Sequence, residues 1–225
     1  MSLPGSVEIS MAHQSLYLLA SGSVYWPLNS ILFVADLHLG KAATYRRLGQ
    51  PVPQGTTTQT LNKLTQDLVR SGAQHLVVLG DFLHADLVHR SPSTLAALNQ
   101  WRARHTGLKI TLVRGNHDNS AGDPKADLCI EVVDEPLLID PFTLRHDPTS
   151  AKVGENWLAG HAHPVIYLSG RARDRLRLPC FVVGPSSCVL PAFGAFTGGH
   201  VHQPRAGECL YVLAQEQVYK VPGQL

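Results

Sequence analysis

The feature that most constrains this chain is a set of short apolar runs that each stop at a chemically active side chain. The residues that follow the five runs are, in chain order, Asp36 and His38, Asp81 and His84, Asn116 with His117 and Asp118, His146, and His161 with His163. In open α/β sheets, ligands bind beyond the carboxyl ends of the strands. A purely structural role is unfavourable, because each unpaired polar group buried there costs roughly 1–3 kcal/mol. The pattern therefore predicts a functional site at a sheet edge.

The first half of the chain has the pattern of an α/β protein. Runs at 31–35, 76–79 and 110–113 are continuous and apolar, which is typical of strands buried on both faces. Leucines at helical spacing in 56–70, and a segment opened by a proline at 91–101, separate these runs. The alternation predicts parallel βαβ units with right-handed crossovers.

After residue 129 the pattern changes to short strands joined by tight, proline-containing connections. The predicted strands there are 130–133, 137–139, 142–144, 157–159, 176–183, 209–214 and 217–221. They predict a second, mixed sheet. Since no internal repeat or linker interrupts the chain, we expect an α/β fold in which two packed mixed β-sheets, flanked by helices, form a single domain over residues 1–225.

Composition narrows the class of protein. Hydrophobic residues make up 44% of the chain and charged residues 16%, which excludes a disordered or fibrous protein. The longest stretch without a charge, 178–203, is interrupted by prolines and glycines, so no membrane span is predicted. Residues 1–10 lack the features of a secretory signal, so we expect a cytoplasmic protein. The net charge of +2 does not by itself indicate a nucleic-acid partner.

The four cysteines, Cys129, Cys180, Cys188 and Cys209, form no C-x-x-C pair. They indicate neither a zinc ribbon nor a redox dithiol, and we expect reduced core residues. If the polar side chains at the strand ends bind metal ions, they offer only nitrogen and oxygen donors. Such donors suit Mn, Fe, Zn or Mg and disfavour soft metals.

The spacing of the polar residues favours shared metal ions. Asp36 and His38 are two residues apart, and so are His161 and His163. Side chains at this spacing point the same way if the backbone stays extended, so each pair could meet one ion. A glycine precedes three of the candidate residues, which predicts tight turns that return the next side chain to the sheet edge.

Taken in order, the motifs D-x-H, G-D-x-x-H, G-N-H-D, a lone histidine and G-H-x-H resemble those of the calcineurin-like metallophosphoesterase superfamily. The resemblance implies a four-layer αββα sandwich with a pair of divalent metal ions. It also implies a ligand set: Asp36, His38 and His163 for the first ion, Asn116, His146 and His161 for the second, and Asp81 as the bridge. Manganese is the metal that the resemblance favours.

In that scheme a hydroxide activated by the two metals would attack the phosphorus atom, because metal coordination lowers the pKa of water toward about 7. His117 has no metal to bind and would face the scissile phosphate as a proton donor for the leaving oxygen. Asp118 would orient the His117 ring. Three roles stay open for His84: a partner of the metal ligands, a substrate contact, or a polar residue that opens a helix.

Longer runs at 36–43, 46–56, 178–185 and 191–199 are similar to the bacterial ligase-associated DNA damage response endonuclease subfamily. This similarity implies a phosphodiesterase or nuclease that acts on DNA together with a DNA ligase, an exonuclease and a helicase. Two alternatives remain. One is a phosphatase or pyrophosphatase that acts on a small nucleotide or lipid precursor, and the other is a scaffold that has lost catalysis, although no ligand is missing.

Four alternating arginines offer modest support for a nucleic-acid substrate. Arg171, Arg173, Arg175 and Arg177 would share one face of an extended strand, with a repeat of about 6.6–6.8 Å. Arg171 and Arg173, together with His84, are therefore candidate substrate contacts. The competing interpretation, which is slightly favoured, is a solvated hairpin with its turn near Asp174.

Overall fold

The computed structural model describes residues 3–169 and 175–222. The first sheet has seven strands in sequential order. They are β1 (Val7–Met11), β2 (Gln14–Leu18), β3 (Val24–Trp26), β4 (Ile31–Val34), β5 (His75–Leu79), β6 (Lys109–Val113) and β7 (Glu131–Val133). Strands β1 to β4 form an antiparallel meander, and β4 to β7 are parallel.

The second sheet is mixed and has nine strands. They are β8 (Leu137–Ile139), β9 (Phe142–Leu144), β10 (Asn156–Ala159), β11 (Pro164–Ser169), β12 (Arg175–Val183), β13 (Ser187–Val189), β14 (His200–Val201), β15 (Cys209–Ala214) and β16 (Gln217–Lys220). Strand β10 runs parallel to β9 and β13, whereas β12 is antiparallel to β11, β13 and β15.

The described part of the chain contains four α-helices, and each of them follows a strand of the first sheet. They are α1 (Lys41–Arg47), α2 (Thr56–Ser71), α3 (Pro92–Arg104) and α4 (Asn116–Ala121), with short 3-10 segments at Pro27–Asn29, Asp86–Arg90, Ala126–Leu128 and Pro148–Ser150. The leucine spacing predicted α2, and Pro92 predicted the start of α3. No helix in the described part of the chain is both long and apolar enough to cross a membrane.

Strand β4 is apolar at every position because it packs on two cores. In β4, Leu32 and Val34 join the cluster that lies against α2 and α3, whereas Ile31 and Phe33 join a second cluster. That second cluster also contains Phe181 of β12, so it lies between the two sheets. Side chains that alternate along a strand thus fill both cores. The prediction of two packed mixed sheets flanked by helices is confirmed. The predicted strand 130–133, however, is β7 of the first sheet and not part of the second, because it pairs in parallel with β6.

The sequence pattern missed the N-terminal meander. Strands β1 and β2 are joined by Ala12 and His13, both of which have positive φ. Tight hairpins usually place glycine or asparagine at such positions, so this connection carried no recognisable turn signal. The hairpin between β15 and β16 uses Gln215 and Glu216 in the same way.

The expectation for the cysteines was correct in part. None of the four forms a disulfide, and Cys180 and Cys188 are buried, where burial raises the pKa of each thiol to about 12. Cys129 is exposed, so its assignment to the core was wrong. It follows the 3-10 segment Ala126–Leu128 in a left-handed conformation, outside the sheets.

A partly buried lysine attaches the loop 191–199 to α2. Lys63 Nζ donates to the Phe193 carbonyl oxygen at 2.6 Å and lies 3.8 Å from the centroid of the Phe193 ring. The next residue, Gly194, donates its N–H to the Asp36 carbonyl oxygen at 3.1 Å. This attachment holds the loop beside the carboxyl end of β4, where the candidate site begins.

Burial lowers the pKa of Lys63 from its usual 10.5 to about 8, and the nearby Asp67 carboxylate only partly offsets that effect. Asp67 in turn accepts hydrogen bonds from the hydroxyls of Ser21 and Ser23 at 2.5 and 2.7 Å. Because the unfolded chain binds more protons than the folded protein between pH 8 and 10.5, the Lys63 contribution to stability should rise with pH in that window.

We expect a Lys63→Met variant to lack this pH dependence. The difference in free energy of unfolding between wild type and variant should move in favour of the wild type as the pH rises from 8 toward 10.5. Urea unfolding at several pH values measures that difference, and groups common to both proteins largely cancel. Parallel pH profiles for the two proteins would contradict the assignment.

Candidate metal centre

The five predicted strand ends meet at one edge of the sandwich. Strands β4, β5 and β6 of the first sheet and β9 and β10 of the second are followed by the polar motifs of the sequence analysis. Within each sheet these strands are parallel neighbours, so their carboxyl ends lie side by side. The structure thus brings together side chains that are more than 120 residues apart along the chain.

The first predicted trio converges closely. Asp36, His38 and His163 offer ligand atoms that all lie within 4.8 Å of one another. His38 Nε2 lies 3.4 Å from His163 Nε2, and His163 Nε2 lies 3.1 Å from Asp36 Oδ1. Burial is the largest of the effects that lower the pKa of His38 to about 2, so its imidazole is neutral, the form that coordinates metals.

The second predicted trio also meets, around His146. Its Nδ1 donates to the Leu79 carbonyl oxygen at 3.0 Å. Its Nε2 lies toward the other two members of the trio, 2.9 Å from Asn116 Oδ1 and 3.0 Å from His161 Nδ1. A hydrogen bond from ring N–H to backbone is the usual way to orient a metal-binding histidine.

Asp81 lies between the two trios. Its Oδ2 is 3.6 Å from His38 Nε2, and its Oδ1 is 3.5 Å from His146 Nε2. The same Oδ1 accepts the backbone N–H of His117 at 2.9 Å. Each carboxylate oxygen therefore faces a different trio, which is the arrangement that a bridging ligand requires.

The donor set fits cations. Asp36 Oδ1 is fully buried and has no hydrogen-bond partner in the described structure. An uncompensated buried carboxylate oxygen is unfavourable, and a bound cation removes that cost. The ligand atoms are imidazole nitrogens, carboxylate oxygens and an amide oxygen, which suit Mn, Fe, Zn or Mg. The rings of His38, His84 and His117 also meet closely enough to hold an ion. The sequence analysis did not predict this group.

The backbone at the site is not extended, so one premise of the sequence analysis was wrong. Five candidate ligands have left-handed conformations, namely Asp36, His38, Asp81, His161 and His163, with φ between 43° and 67°. In both the D-x-H and the G-H-x-H motif, the meeting of the two side chains therefore does not come from an extended backbone. Each such residue costs about 1–2 kcal/mol relative to ordinary conformations, so the surrounding packing holds them in place.

The glycines serve close approach as well as turning. Of the three glycines that precede candidate residues, Gly80, Gly115 and Gly160, only Gly80 has positive φ. A Cβ at Gly80 would overlap the ring of His146. At Gly160 a Cβ would lie 2.7 Å from Ala35 Cβ and 2.8 Å from Asp36 Oδ2. At Gly115 it would overlap Asp81. The predicted tight-turn role therefore holds at Gly80, whereas the missing side chain lets the two sheets approach at Gly160 and leaves room for Asp81 of the same sheet at Gly115.

His117 lies beside the trios and is held through its backbone and its ring. Its Nδ1 is 3.0 Å from the His84 carbonyl oxygen, which leaves Nε2 as the ring nitrogen that this contact does not engage. The predicted role of Asp118 was wrong. Its two oxygens accept the backbone N–H groups of Leu83 and Gly115, at 3.1 and 3.0 Å, so it braces the turns around the site and does not orient His117.

His84 does not open a helix, since the 3-10 segment Asp86–Arg90 starts two residues later. Its ring stacks on that of His117, with centroids 5.1 Å apart, and packs edge-on against His38 at 5.5 Å. Burial, followed by Lys41 and His117, lowers the pKa of His84 to about 4. Among the roles left open by the sequence, this geometry fits a partner of the site residues.

Two charged residues near the centre were missed. Glu135 Oε2 accepts the backbone N–H groups of His146 and Asp147, at 2.6 and 3.0 Å, and so fixes the turn after β9. Lys41 is partly buried at the start of α1, where burial lowers its pKa and the carboxylates of Asp36 and Asp81 oppose that shift. For Lys41 the signal was its position three residues after His38, whereas Glu135 carried none.

The arginine prediction is only partly covered by the structure. Arg171 and Arg173 lie outside the described residues. Arg175 lies over the ring of Tyr167 at 4.1 Å, and Arg177 donates to the Gly199 carbonyl oxygen at 2.6 Å. Because Arg175 pairs with a residue of the antiparallel strand β11, the described part agrees with the hairpin interpretation.

Comparison with known proteins agrees with this geometry. The profile of a family described as calcineurin-like phosphoesterase matches residues 30–204. The solved structure of Pseudomonas putida nuclease MPE is 44% identical, with a TM-score of 0.84, and the match covers 96% of this chain and 100% of that one.

A DNA double-strand break repair protein Mre11 from Archaeoglobus fulgidus is 30% identical over 125 residues, or 55% of this chain. The chain spans only 26% of that relative's length. The family profile and the full-length structural match together cover every motif of the candidate centre. The chain belongs to the calcineurin-like phosphoesterase family and is a metal-dependent hydrolase.

Proposed function

We propose that this protein is a two-metal phosphodiesterase that cleaves nucleic acid, with DNA as its substrate. The observation that carries the proposal is the convergence of six nitrogen and oxygen ligands around a seventh, Asp81, whose two oxygens face different trios. The 44% identity to a nuclease supports the choice of a phosphodiester over other phosphoesters.

In this proposal Asp36, His38 and His163 hold one divalent ion, and Asn116, His146 and His161 hold the other, with Asp81 shared. Bound divalent ions would lower the pKa of water and balance the charge of the phosphate. The chain itself supplies pre-oriented ligands, because hydrogen bonds from His146 to Leu79 and from His161 N–H to Asp36 Oδ2, at 3.0 and 2.9 Å, fix two of them.

His117 would donate a proton to the leaving oxygen. Because its Nδ1 is engaged with the His84 carbonyl oxygen, Nε2 is the atom that would carry this proton. The backbone N–H of His117 is bonded to Asp81, so the ring is held next to the centre. Lys41 adds positive charge on the same side and would attract the anionic substrate.

The open side of the centre favours a polymer over a small ligand. Asn116 and His161 are exposed, whereas Asp36, Asp81 and His146 are buried, so access is from the side of α4 and the turn after β10.

The finer parts of the proposal rest on the sequence resemblance. They are manganese as the metal, and a repair pathway shared with a DNA ligase, an exonuclease and a helicase.

A panel of substrates tests the proposed function against its main alternative. With Mn²⁺ present, we expect cleavage of single-stranded DNA and of a simple phosphodiester, and little release of phosphate from a nucleoside diphosphate or a lipid phosphate precursor. Gel analysis and phosphate release measure the two activities. Faster turnover of the small phosphomonoesters than of DNA would favour the phosphatase alternative.

A second prediction concerns His117. His117→Ala should keep its bound metal, because no proposed ligand is removed, but should lose about 10²- to 10⁴-fold in turnover of a diester with an alkoxide leaving group. A diester with a nitrophenolate leaving group, which needs no proton, should lose much less. Elemental analysis checks the metal content, and equal losses on both diesters would refute the proton-donor role.

A third prediction concerns Glu135, which we propose positions His146. Glu135→Ala frees the two N–H groups that fix the turn, so Mn²⁺ affinity should fall about tenfold. Titration calorimetry with the metal alone measures this affinity. The matched control is Asp140→Asn, which changes an exposed carboxylate on the same part of the chain. Unchanged affinity in Glu135→Ala would show that the turn does not depend on Glu135.

A further inference from the structure

We infer that Tyr45 and Phe196 form a stacking platform for an unpaired base of the substrate, and that the enzyme therefore prefers base-bearing to base-free phosphodiester strands. This inference rests on the proposed function and narrows its substrate class. The two residues, called the aromatic platform below, lie on α1 and on the loop 191–199. Neither was a candidate site residue in the sequence analysis.

A continuous series of rings connects the aromatic platform to the metal centre. Phe196 packs edge-on against Tyr45 with centroids 6.2 Å apart, and Tyr45 lies 5.9 Å from His84. His84 stacks on His117 at 5.1 Å, and His117 packs edge-on against His38 at 4.8 Å. The platform is therefore continuous with the residues that would hold the metal and the proton.

The ring series runs from the interior to the surface. The innermost ring, His38, is only 4% exposed, whereas Tyr45 and Phe196 are partly exposed. Large aromatic side chains that are exposed beside a catalytic edge offer faces on which a base can stack, and such stacking is tolerant of sequence. A base inside a duplex is already stacked and paired, so it gains less from the platform.

Both platform residues are held in place before substrate binds. Tyr45 is in the body of α1, and the loop that carries Phe196 is anchored by Lys63 and by the hydrogen bond from Ala195 N–H to Thr60 Oγ1 at 3.0 Å. Preorganised contacts lose little entropy on binding.

Positive charge accompanies the rings. Lys41 and Arg46 lie on the same helix as Tyr45, one on each side of it in sequence. The carboxylates of Asp36 and Asp81 interact electrostatically with Lys41 and partly oppose the lowering of its pKa by burial. Aromatic faces beside cations are the combination that binds single-stranded nucleic acid, because the rings contact bases and the cations contact phosphates. A lipid or a sugar phosphate would also use the cations but has no base to stack on the rings.

The test compares two oligonucleotides of equal length and charge, one with bases and one abasic throughout. We measure kcat/KM for each with Mn²⁺, and the affinity of the metal-free protein for each by fluorescence anisotropy. The wild type should prefer the base-bearing strand by about tenfold or more, and Tyr45→Leu and Phe196→Leu should each remove most of that preference. Tyr45→Phe, which keeps the ring, is the matched control and should retain it.

Cleavage of the abasic strand and of a simple diester should change little in the leucine variants, which also shows that they are folded. Equal cleavage of both oligonucleotides by the wild type would overturn the platform but leave the proposed nuclease intact. A preference that survives both leucine substitutions would also overturn it, since bases would then be recognised elsewhere. Hydrolysis of the simple diester without cleavage of either strand would refute the proposed nuclease function, and the platform with it.

Discussion

The convergence of acceptor atoms at one edge of the sandwich is the constraint on which the rest of this structure depends. His146 Nε2 faces an amide oxygen and a second imidazole, and Asp36 Oδ1 is buried without a donor. Such a cluster is unstable unless positive charge enters it. A cation bound there would therefore also stabilise the fold, because the same lone pairs that attract cations oppose burial in their absence.

The strained backbone follows from that convergence. Short turns after the parallel strands must direct carboxylates and imidazoles of two sheets toward a small volume, and left-handed conformations at residues such as Asp36 and His163 achieve this. The two sheets hold these turns through hydrogen bonds, as when His161 N–H donates to Asp36 Oδ2. Packing on both faces of β4 and β5 supplies the stability that offsets the strain.

Residues outside the ligand set adapt the centre to its task. Glu135 fixes the turn that carries His146, Asp118 braces the turns around Gly115, and the carbonyl oxygen of His84 leaves one nitrogen of His117 available for a proton. Family membership accounts for the ligands, but these supporting contacts decide how rigidly the ligands are held. The partly exposed rings of Tyr45 on α1 and Phe196 on the loop 191–199 continue the ring contacts of His84 toward the surface.

The sequence by itself determined the layered α/β fold and the identity of the side chains that meet, because apolar runs define buried strands and the polar residues after them share an edge. It could not determine the N-terminal meander, since Ala12 and His13 are not typical turn residues. Only the tertiary structure decided how the ligands converge, because left-handed conformations at non-glycine residues are imposed by packing and not by local preference. The same holds for Asp118 and Glu135, whose partners are backbone groups brought to them by the fold.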